Sequence, residues 1–479
     1  MRKGYTITKK ALDLLESSEN PLKLLDEAIR ILKADRLKPP IIDEKLLKPL
    51  IAEKPEPKAE AEAIEAEGEE FAPIEVEVDE RFLKEYRISG SSDEFRRYFR
   101  SRYEKLSRII RSRLSGVIDL KSALKLREGE EAYVVAMLYD KRETGKAWVL
   151  EVDDKSGEAT IIVPKAGDEN LRKTAEILLQ DSVIGIRVCK RGESLIARDL
   201  LLPEIAQEEV GKMNLDAYVC LISDIHLGSN KFREDLFESF LDWINRTRDS
   251  EVKRIRFMIV AGDLVDGVGV YPNQHKELEI TSVREQFEQL SKLFSEIPET
   301  IKIILAPGNH EPVQKALPQP PLQEEYRRIL EKCGREILFV GNPAWIRIAG
   351  RKFLVYHGQG LDDVIQIIPG FSHSTLKRDI GKVLEAIIRH RHLSPIYGES
   401  TPILPLGEDM LVIDDVLNVF HVGHVHVAYA GSYRGLRLIN TGTWQEQTSY
   451  QRNVGLEPTV GVASLVNLGD LSIKVKRFM

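Results

Sequence analysis

Candidate metal ligands in this chain occur in short clusters, each directly behind an apolar segment. Three histidines fall within HVGHVH, residues 421–426, and the motifs DIH, GD, GNHE and HG follow four earlier apolar segments. The five motifs supply carboxylates, imidazoles and one amide: Asp224, His226, Asp263, Asn309, His310, His357, His424 and His426. Apolar segments separated by helical stretches predict an α/β layered domain, in which residues that follow the strands can converge at one rim of a sheet.

These side-chain types suit divalent metals. Carboxylate oxygens combined with imidazole nitrogens favour Mn²⁺, Fe²⁺ or Zn²⁺. Asp224 and His226 stand two positions apart in a segment expected to be extended, so they lie on the same side and can chelate one ion, and the same holds for His424 and His426. Asp263 is the natural bridge between two ions. Two ions about 4 Å apart can hold a nucleophilic hydroxide and neutralise phosphate oxygens during in-line attack.

The order D-x-H, G-D, G-N-H-E, H, G-H-x-H closely resembles the motifs of the calcineurin-like metallophosphoesterase family. The resemblance implies a centre for two divalent metals, with Mn²⁺ favoured. One metal would be held by Asp224, His226, Asp263 and His426. The other would be held by Asp263, Asn309, His357 and His424. His310 would bind the scissile phosphate or protonate the leaving oxygen, and it is expected to be catalytic together with Asp263.

Polar residues outside this pattern are interpreted as structural. His421 is expected to be a core residue or a neighbour of the ligands, and His390 and His392 a solvated basic helix end. His275 is expected in a loop. Asp266, in GDLVDG, is interpreted as a turn residue in preference to a neighbour of the metals.

The charge of the chain is concentrated in one segment. Net charge is −7 over 479 residues, but residues 53–80 alone hold twelve acids and two bases. The acidity therefore does not exclude an anionic substrate. No apolar run of about 18 residues occurs, so no membrane span is expected. The N-terminus lacks a secretory signal, and the three separated cysteines suit a reducing cytoplasm.

The chain is expected to be multidomain: a small helical N-terminal domain, an OB-like β-barrel and an α/β calcineurin-like metallophosphoesterase domain. The predicted boundaries, in order, are 1–50 for the helical domain, 51–80 for an acidic flexible linker, 81–210 for a basic helix plus the barrel, and 211–479 for the phosphoesterase domain. Within the first domain, residues 20–35 have the pattern of a helix that begins with Asn20 as its N-cap.

The basic helix begins at a capping box formed by Ser91 and Glu94 and carries eight Arg or Lys residues between 93 and 113. A solvated helix that packs by its apolar stripe is favoured over a DNA-backbone contact. Five short strand-like segments with one inserted helix follow between 130 and 202 and predict the barrel. Phe and Tyr are sparse in these strands, which favours protein docking over base stacking.

Beyond the metal motifs, three features resemble the small subunits of the archaeal family-D DNA polymerases. These are the domain arrangement, the stretch RHLSPIYG at 391–398 with TPILP after it, and NTGTWQEQTSYQ at 440–451. The resemblance implies a metal-dependent 3′→5′ exonuclease that proofreads for a large catalytic polymerase subunit. Its partners would be that subunit and DNA with a 3′ end, and its location the nucleoid-associated cytoplasm.

Two alternatives remain open at this point. One is an independent nuclease of the double-strand-break-repair type, which shares the metal motifs. Against it, the barrel precedes the phosphoesterase segment, and only 53 residues follow His426. The other is a scaffold subunit that binds metals without turnover, because a complete set of ligands does not by itself establish catalysis.

Overall fold

A computed structural model describes residues 6–16, 25, 28, 41–42, 46–47, 74–246 and 249–479. The chain divides into two compact units, Met1–Pro73 and Ile74–Met479. Residues 51–73 of the expected linker lie outside the described residues. So does most of the helix expected over 20–35, of which Leu25 and Ala28 are described and are helical. Among the described residues, no helix is long and apolar enough to cross a membrane.

The first unit contains strand as well as helix. Its described elements are β1 (Thr6–Ile7), α1 (Lys9–Glu16) and β2 (Ile41–Ile42). The two strands pair in parallel, a feature that the helical interpretation missed because two-residue strands carry no readable period. A small apolar core includes Ala11, Leu15, Ala28, Ile42 and Leu47.

The second unit begins with a short strand, a long helix and a barrel. Its elements up to residue 201 are β3 (Val76–Val78), α2 (Ser92–Arg111), α3 (Leu120–Ala123), β4 (Glu131–Glu143), β5 (Ala147–Asp154), β6 (Gly157–Pro164), α4 (Glu169–Ile177), β7 (Val183–Arg191) and β8 (Ser194–Leu201). The barrel is closed in the order β4-β5-β6-β8-β7, with α4 inserted between β6 and β7. Burial alternates along β5, because every second side chain points into the barrel. The five predicted strands and the inserted helix are confirmed.

Helix α2 begins at the predicted capping box, in which the Ser91 hydroxyl accepts from the Glu94 amide. The solvated-face interpretation holds only in part, because Arg102 is buried beside Tyr98. Arg102 Nε lies 2.7 Å from Asp409 Oδ2, so this arginine joins α2 to the C-terminal part of the same unit. The pairing spans 307 positions, and no local pattern distinguishes Arg102 from its solvated neighbours.

The rest of the unit alternates strands and helices. The elements after residue 211 are β9 (Tyr218–Ile222), α5 (Glu234–Arg246), β10 (Ile255–Ala261), α6 (Val283–Phe294), β11 (Lys302–Ala306), α7 (Glu324–Leu330), β12 (Ile337–Phe339), β13 (Ala344–Ile348), β14 (Arg351–Tyr356), α8 (Leu361–Ile367), α9 (Leu376–His390), β15 (Val419–Val422), β16 (Tyr429–Tyr433), β17 (Leu436–Asn440), α10 (Ser449–Asn453), β18 (Val462–Asn467) and β19 (Ile473–Arg477).

These strands form two six-stranded sheets, ordered β12-β11-β10-β9-β18-β19 and β16-β17-β15-β14-β13-β3. One apolar cluster includes residues of both sheets, among them Leu221, Ile259, Val355 and Val419. Two further clusters pack strands of each sheet against helices: α5 and α6 on the first sheet, α8 and α9 on the second. Strand β9 is buried along its whole length, as expected for a central strand covered on both faces.

The predicted linker boundary at residue 80 is wrong. Val76–Val78 form β3, an edge strand that pairs antiparallel with β13 through the Ile346–Val78 register. Val76 and Val78 pack against the cluster shared by the two sheets, and Glu77 forms an ion pair with Arg347 at 3.1 Å. The alternation of apolar and acidic residues at the end of the acidic segment is therefore a strand period and not solvated chain.

Candidate metal centre

All the predicted ligand motifs follow the carboxyl ends of parallel strands. Asp224 and His226 come after β9, Asp263 after β10, and Asn309 with His310 after β11. These three strands are parallel neighbours in the first sheet. The remaining motifs come after β14 and β15, which are parallel neighbours in the second sheet.

The first group of ligand atoms lies around Asp224. The Nε2 atom of His426 is 3.4 Å from Asp224 Oδ1, and His226 Nε2 is 4.0 Å from the same oxygen. The two imidazole Nε2 atoms are 3.0 Å apart. Asp263 Oδ2 adds a second carboxylate oxygen, 3.5 Å from His226 Nε2. Asp224, His226 and His426 are buried and close enough together to hold one cation.

The second group of ligand atoms lies on the other side of Asp263. Its Oδ2 atom is 3.3 Å from His357 Nε2, which in turn is 2.9 Å from the Asn309 side-chain oxygen. Asp224, Asp263 and His357 also meet the distance requirement for holding a cation. The Asp263 carboxylate therefore faces both groups, as a bridging ligand must.

His424 is oriented by an aspartate that the sequence did not single out. Its Nε2 atom lies 2.9 Å from Asp362 Oδ2, so only Nδ1 remains available to a metal. The other oxygen of Asp362 lies 3.1 Å from His373 Nε2. Asp362 sits in the first turn of α8, just after the motif that carries His357, and that proximity is the one signal by which sequence could have found it.

The ligand loops are not extended. Asp224, His226, Asp263, His424 and His426 all have positive φ, between 51° and 68°. The sequence-based expectation that alternate residues of an extended segment would share one side is therefore wrong in its reason, although the paired side chains do converge. A left-handed backbone is costly for residues other than glycine, and such conformations concentrate at functional sites.

Two glycines allow the loops to approach one another. A Cβ at Gly308 would lie 2.2 Å from Asp263 Oδ1, and a Cβ at Gly423 would lie 2.4 Å from Asp224 Oδ2. Neither position has room for a side chain beside a buried carboxylate. The glycines of GNHE and HVGHVH are thus required by packing at the cluster.

The Nδ1 atoms of three histidines have partners outside the cluster. His226 Nδ1 is 3.1 Å from Asp266 Oδ1, His357 Nδ1 is 2.8 Å from a backbone carbonyl oxygen, and His426 Nδ1 is 2.7 Å from the amide nitrogen of Gln451. The oxygen partners let His226 and His357 donate from Nδ1 and turn Nε2 inward. The Gln451 side chain donates to His426 Nδ1 and holds that ring with its Nε2 facing the cluster. Asp266 is buried and orients a candidate ligand, so its interpretation as a simple turn residue is wrong.

Glu311, the last residue of GNHE, ties two ligand loops together. Its buried carboxylate accepts from four backbone amides, those of Asp263, Leu264, Val265 and Gly308. Burial and the nearby charge of Asp263 raise the pKa of Glu311 to about 7, whereas the four donors favour its ionised form. The GNHE motif shows this glutamate, but its role depends on amides 46 to 48 positions away, which no local pattern shows.

The pKa values of the cluster are shifted by the charges of its buried carboxylates and imidazoles. Burial lowers the pKa values of His226 and His357, but the surrounding carboxylates outweigh it and raise them to about 9 and about 10. Burial raises the pKa of Asp263, yet the charges of His357 and His310 hold it well below the usual range. Imidazoles that retain protons beside buried carboxylates mark a place where a cation is electrostatically favoured.

His310 stands at the edge of the cluster. Its side chain keeps 14% exposure, whereas the side chains of Asp224 and His357 are fully buried. Its Nδ1 atom lies 2.7 Å from the carbonyl oxygen of Asp266, and its Nε2 atom lies 3.8 Å from Asp263 Oδ2. A group bound at the cluster can therefore contact the Nε2 side of this ring.

Two histidines outside the cluster lie in surroundings that differ from the prediction, and a third agrees with it. His390 and His392 are buried, so the interpretation of a solvated basic end is wrong. His392 Nε2 is 2.9 Å from Asp409 Oδ2, and its Nδ1 accepts from the Ser394 amide. His421 is a buried residue beside Thr441, as predicted.

Residues 219–429 match the DNA polymerase alpha/epsilon B-subunit family. This region contains all the predicted ligands.

Three relatives that align over 83% to 99% of this chain share one name. The DNA polymerase II small subunit of Archaeoglobus fulgidus is 35% identical, over 99% of this chain and 96% of the relative. The protein of the same name from Methanothermobacter thermautotrophicus is 34% identical, over 98% and 97%. That of Pyrococcus horikoshii is 37% identical, over 83% of this chain and 67% of the relative. The chain belongs to the family of DNA polymerase II small subunits.

Proposed function

We propose that this chain is the small, exonucleolytic subunit of a two-subunit archaeal DNA polymerase and removes nucleotides from DNA 3′ ends by two-metal phosphodiester hydrolysis. The observation that carries the proposal is the Asp263 carboxylate, whose Oδ2 lies within 3.5 Å of the Nε2 atoms of both His226 and His357. A carboxylate shared by two groups of ligands is what a two-metal phosphoesterase requires.

The residues present fit two divalent cations. The first group offers Asp224, His226, Asp263 and His426. The second group offers Asp263, Asn309, His357 and, through Nδ1, His424. Mixed oxygen and nitrogen donors favour Mn²⁺, with Fe²⁺ or Zn²⁺ as further candidates. Bound cations would supply a hydroxide nucleophile and neutralise charge on the phosphate oxygens.

The side chains of this protein would orient the phosphate and transfer one proton to the leaving oxygen. His310 has its Nδ1 held at the Asp266 carbonyl, which leaves Nε2 free to take up a proton and pass it to the leaving 3′ oxygen. Burial lowers the pKa of His310, so its proton is readily released near neutral pH. Asp266 and Asp362 would hold His226 and His424 in the orientations that binding needs.

The barrel and the surfaces around it are proposed to bind the large catalytic subunit. The strand order and the helix between the third and fourth strands suit an OB-type barrel. Trp148 is buried in the barrel core, and Tyr139 is partly exposed on β4. So few exposed aromatic rings favour protein docking over stacking on a nucleic-acid strand.

The proposal is tested with a 5′-labelled primer carrying a mismatched 3′ end, incubated with Mn²⁺ and the purified chain, alone and with the large subunit. Stepwise shortening from the 3′ end is expected. It should be lost in Asp263→Asn and in His310→Asn and retained in His275→Asn, which changes an exposed histidine outside the cluster. Metal binding without cleavage in either preparation would instead support a scaffold that retains metals, and internal cleavage would support an independent nuclease.

A further inference from the structure

The motif NTGTWQEQTSYQ contains a residue that the metal centre does not use, Tyr450. It lies in α10, a single turn that begins with a capping box between Thr448 and Gln451. Gln451, the next residue, places its amide nitrogen 2.7 Å from His426 Nδ1. The turn that presents Tyr450 is therefore fixed directly to the candidate metal centre.

Tyr450 lies on the exposed side of this turn. It is 62% exposed, whereas Thr448 and Gln451, which form the capping box, are buried. Tyr139 on the barrel, at 41%, is the other exposed large aromatic residue in the described ranges 74–246 and 249–479. The Tyr450 hydroxyl forms no hydrogen bond with any described residue. An aromatic ring held on a fixed turn and left accessible is suited to bind a planar group.

The contacts around α10 place this turn on the His424 side of the centre. A Cβ at Gly455, just after α10, would lie 3.1 Å from Ser374 Cβ, in the turn that begins at His373. His373 and His424 both contact the carboxylate of Asp362. Burial and the negative charge of Asp362 also raise the pKa of Tyr450, in agreement with this placement.

We infer that Tyr450 stacks on the base of the 3′-terminal nucleotide while the phosphate of that nucleotide lies at the metal centre. This inference rests on the proposed function and names the part of the substrate that its site recognises. Stacking on an aromatic ring accepts any base, because every base has a flat π face. The ligand is therefore a single-stranded 3′ end of any sequence, which is what the removal of any misincorporated nucleotide requires.

The test measures whether the contribution of the terminal base to binding affinity requires the Tyr450 ring. A 5′-fluorescent single strand is bound by the full chain in Ca²⁺, with a phosphorothioate at its last linkage to slow hydrolysis. Its 3′ residue either carries adenine or is abasic. Loss of the base is expected to weaken binding to the unchanged chain about 10-fold, the size of one stacking contact. The same loss should leave binding to Tyr450→Ala unchanged, and Tyr450→Phe should behave like the unchanged chain.

Tyr139→Ala is the matched control, because it removes the other exposed ring and should keep the full effect of the base. Equal sensitivity of the unchanged chain and Tyr450→Ala to base loss would overturn the inference, as would absence of measurable binding by the unchanged chain. Cleavage in Mn²⁺ is measured separately. If binding depends on the base but no cleavage occurs, the proposed exonuclease activity is rejected and the stacking contact stands. If cleavage occurs but binding does not depend on the base, the stacking contact is rejected and the proposed exonuclease activity stands.

Discussion

The Nε2 atoms of His226 and His426 lie 3.0 Å apart, although 200 positions separate the two residues. One follows a strand of the first sheet and the other a strand of the second, so the contact joins the two sheets at their shared rim. Two imidazoles that close, with Asp224 and Asp263 beside them, share either a proton or a cation.

Asp263→Asn is expected to abolish cleavage while preserving the fold. The amide has nearly the same shape but no charge, so it cannot bridge two cations, and we expect a loss of about 10³-fold or more in cleavage rate. The pKa of His357 should also fall, since Asp263 is the main group that raises it. Cleavage assays, Mn²⁺ titration calorimetry and histidine NMR measure these effects. An unchanged number of bound Mn²⁺ ions would contradict the bridging role.

Gly308→Ala is expected to impair metal binding without changing any ligand. The added Cβ would lie 2.2 Å from Asp263 Oδ1 and 2.6 Å from the Asp263 amide nitrogen, so the carboxylate must shift. We expect Mn²⁺ affinity to fall by about 10-fold to 100-fold, as for other disturbances of the residues that support metal ligands. Gly145→Ala is the control, because nothing lies within 4 Å of its added Cβ. Equal Mn²⁺ affinity in Gly308→Ala and Gly145→Ala would show that the loop can shift to make room for the added methyl group.

Arg102→Met is expected to destabilise the second unit strongly. It leaves Asp409 buried without its guanidinium partner at 2.7 Å, and loss of one member of a buried ion pair costs about 3–5 kcal/mol. Arg100→Met, on the exposed face of the same helix, removes a solvated pair with Glu104 and should change the free energy of unfolding by no more than about 0.5 kcal/mol. Urea denaturation of both variants provides the comparison. Similar free energies of unfolding for the two variants would mean that water stabilises the Asp409 carboxylate once Arg102 is replaced.

Acid is expected to destabilise the fold through His392 before most carboxylates titrate. Burial and the charge of Arg102 lower the pKa of His392 to about 4, despite the Asp409 carboxylate beside it. The unfolded chain, with a pKa of about 6.5, binds more protons below that value. Stability should therefore be complete above about pH 6.5 and fall as the pH drops towards 4, by up to about 3 kcal/mol from this residue.

Unfolding free energies measured across this pH range test the effect. His392→Gln cannot take up the proton, so its stability should depend less steeply on pH than that of the unchanged chain. Burial also lowers the pKa values of His390 and His421, to about 4 and about 3, so both continue to titrate in this variant and contribute to the remaining slope. Parallel curves for the two proteins would count against a neutral His392 in the folded state.

The sequence by itself determined the local features. The five barrel strands and their inserted helix follow from period and turn residues, which are properties of consecutive positions. The candidate ligands were identifiable for a similar reason. Each motif ends an apolar strand, and parallel strands bring their carboxyl ends to one rim.

The tertiary structure decided what depends on residues far apart in the chain. It buried Arg102 against Asp409, assigned Asp362 to His424 across 62 positions, and used Val76–Val78 as an edge strand of the second sheet. It also set the left-handed backbone of the ligand loops, such as that at Asp224. Such strain persists because surrounding contacts hold it, and those contacts exist only once the two sheets have packed together.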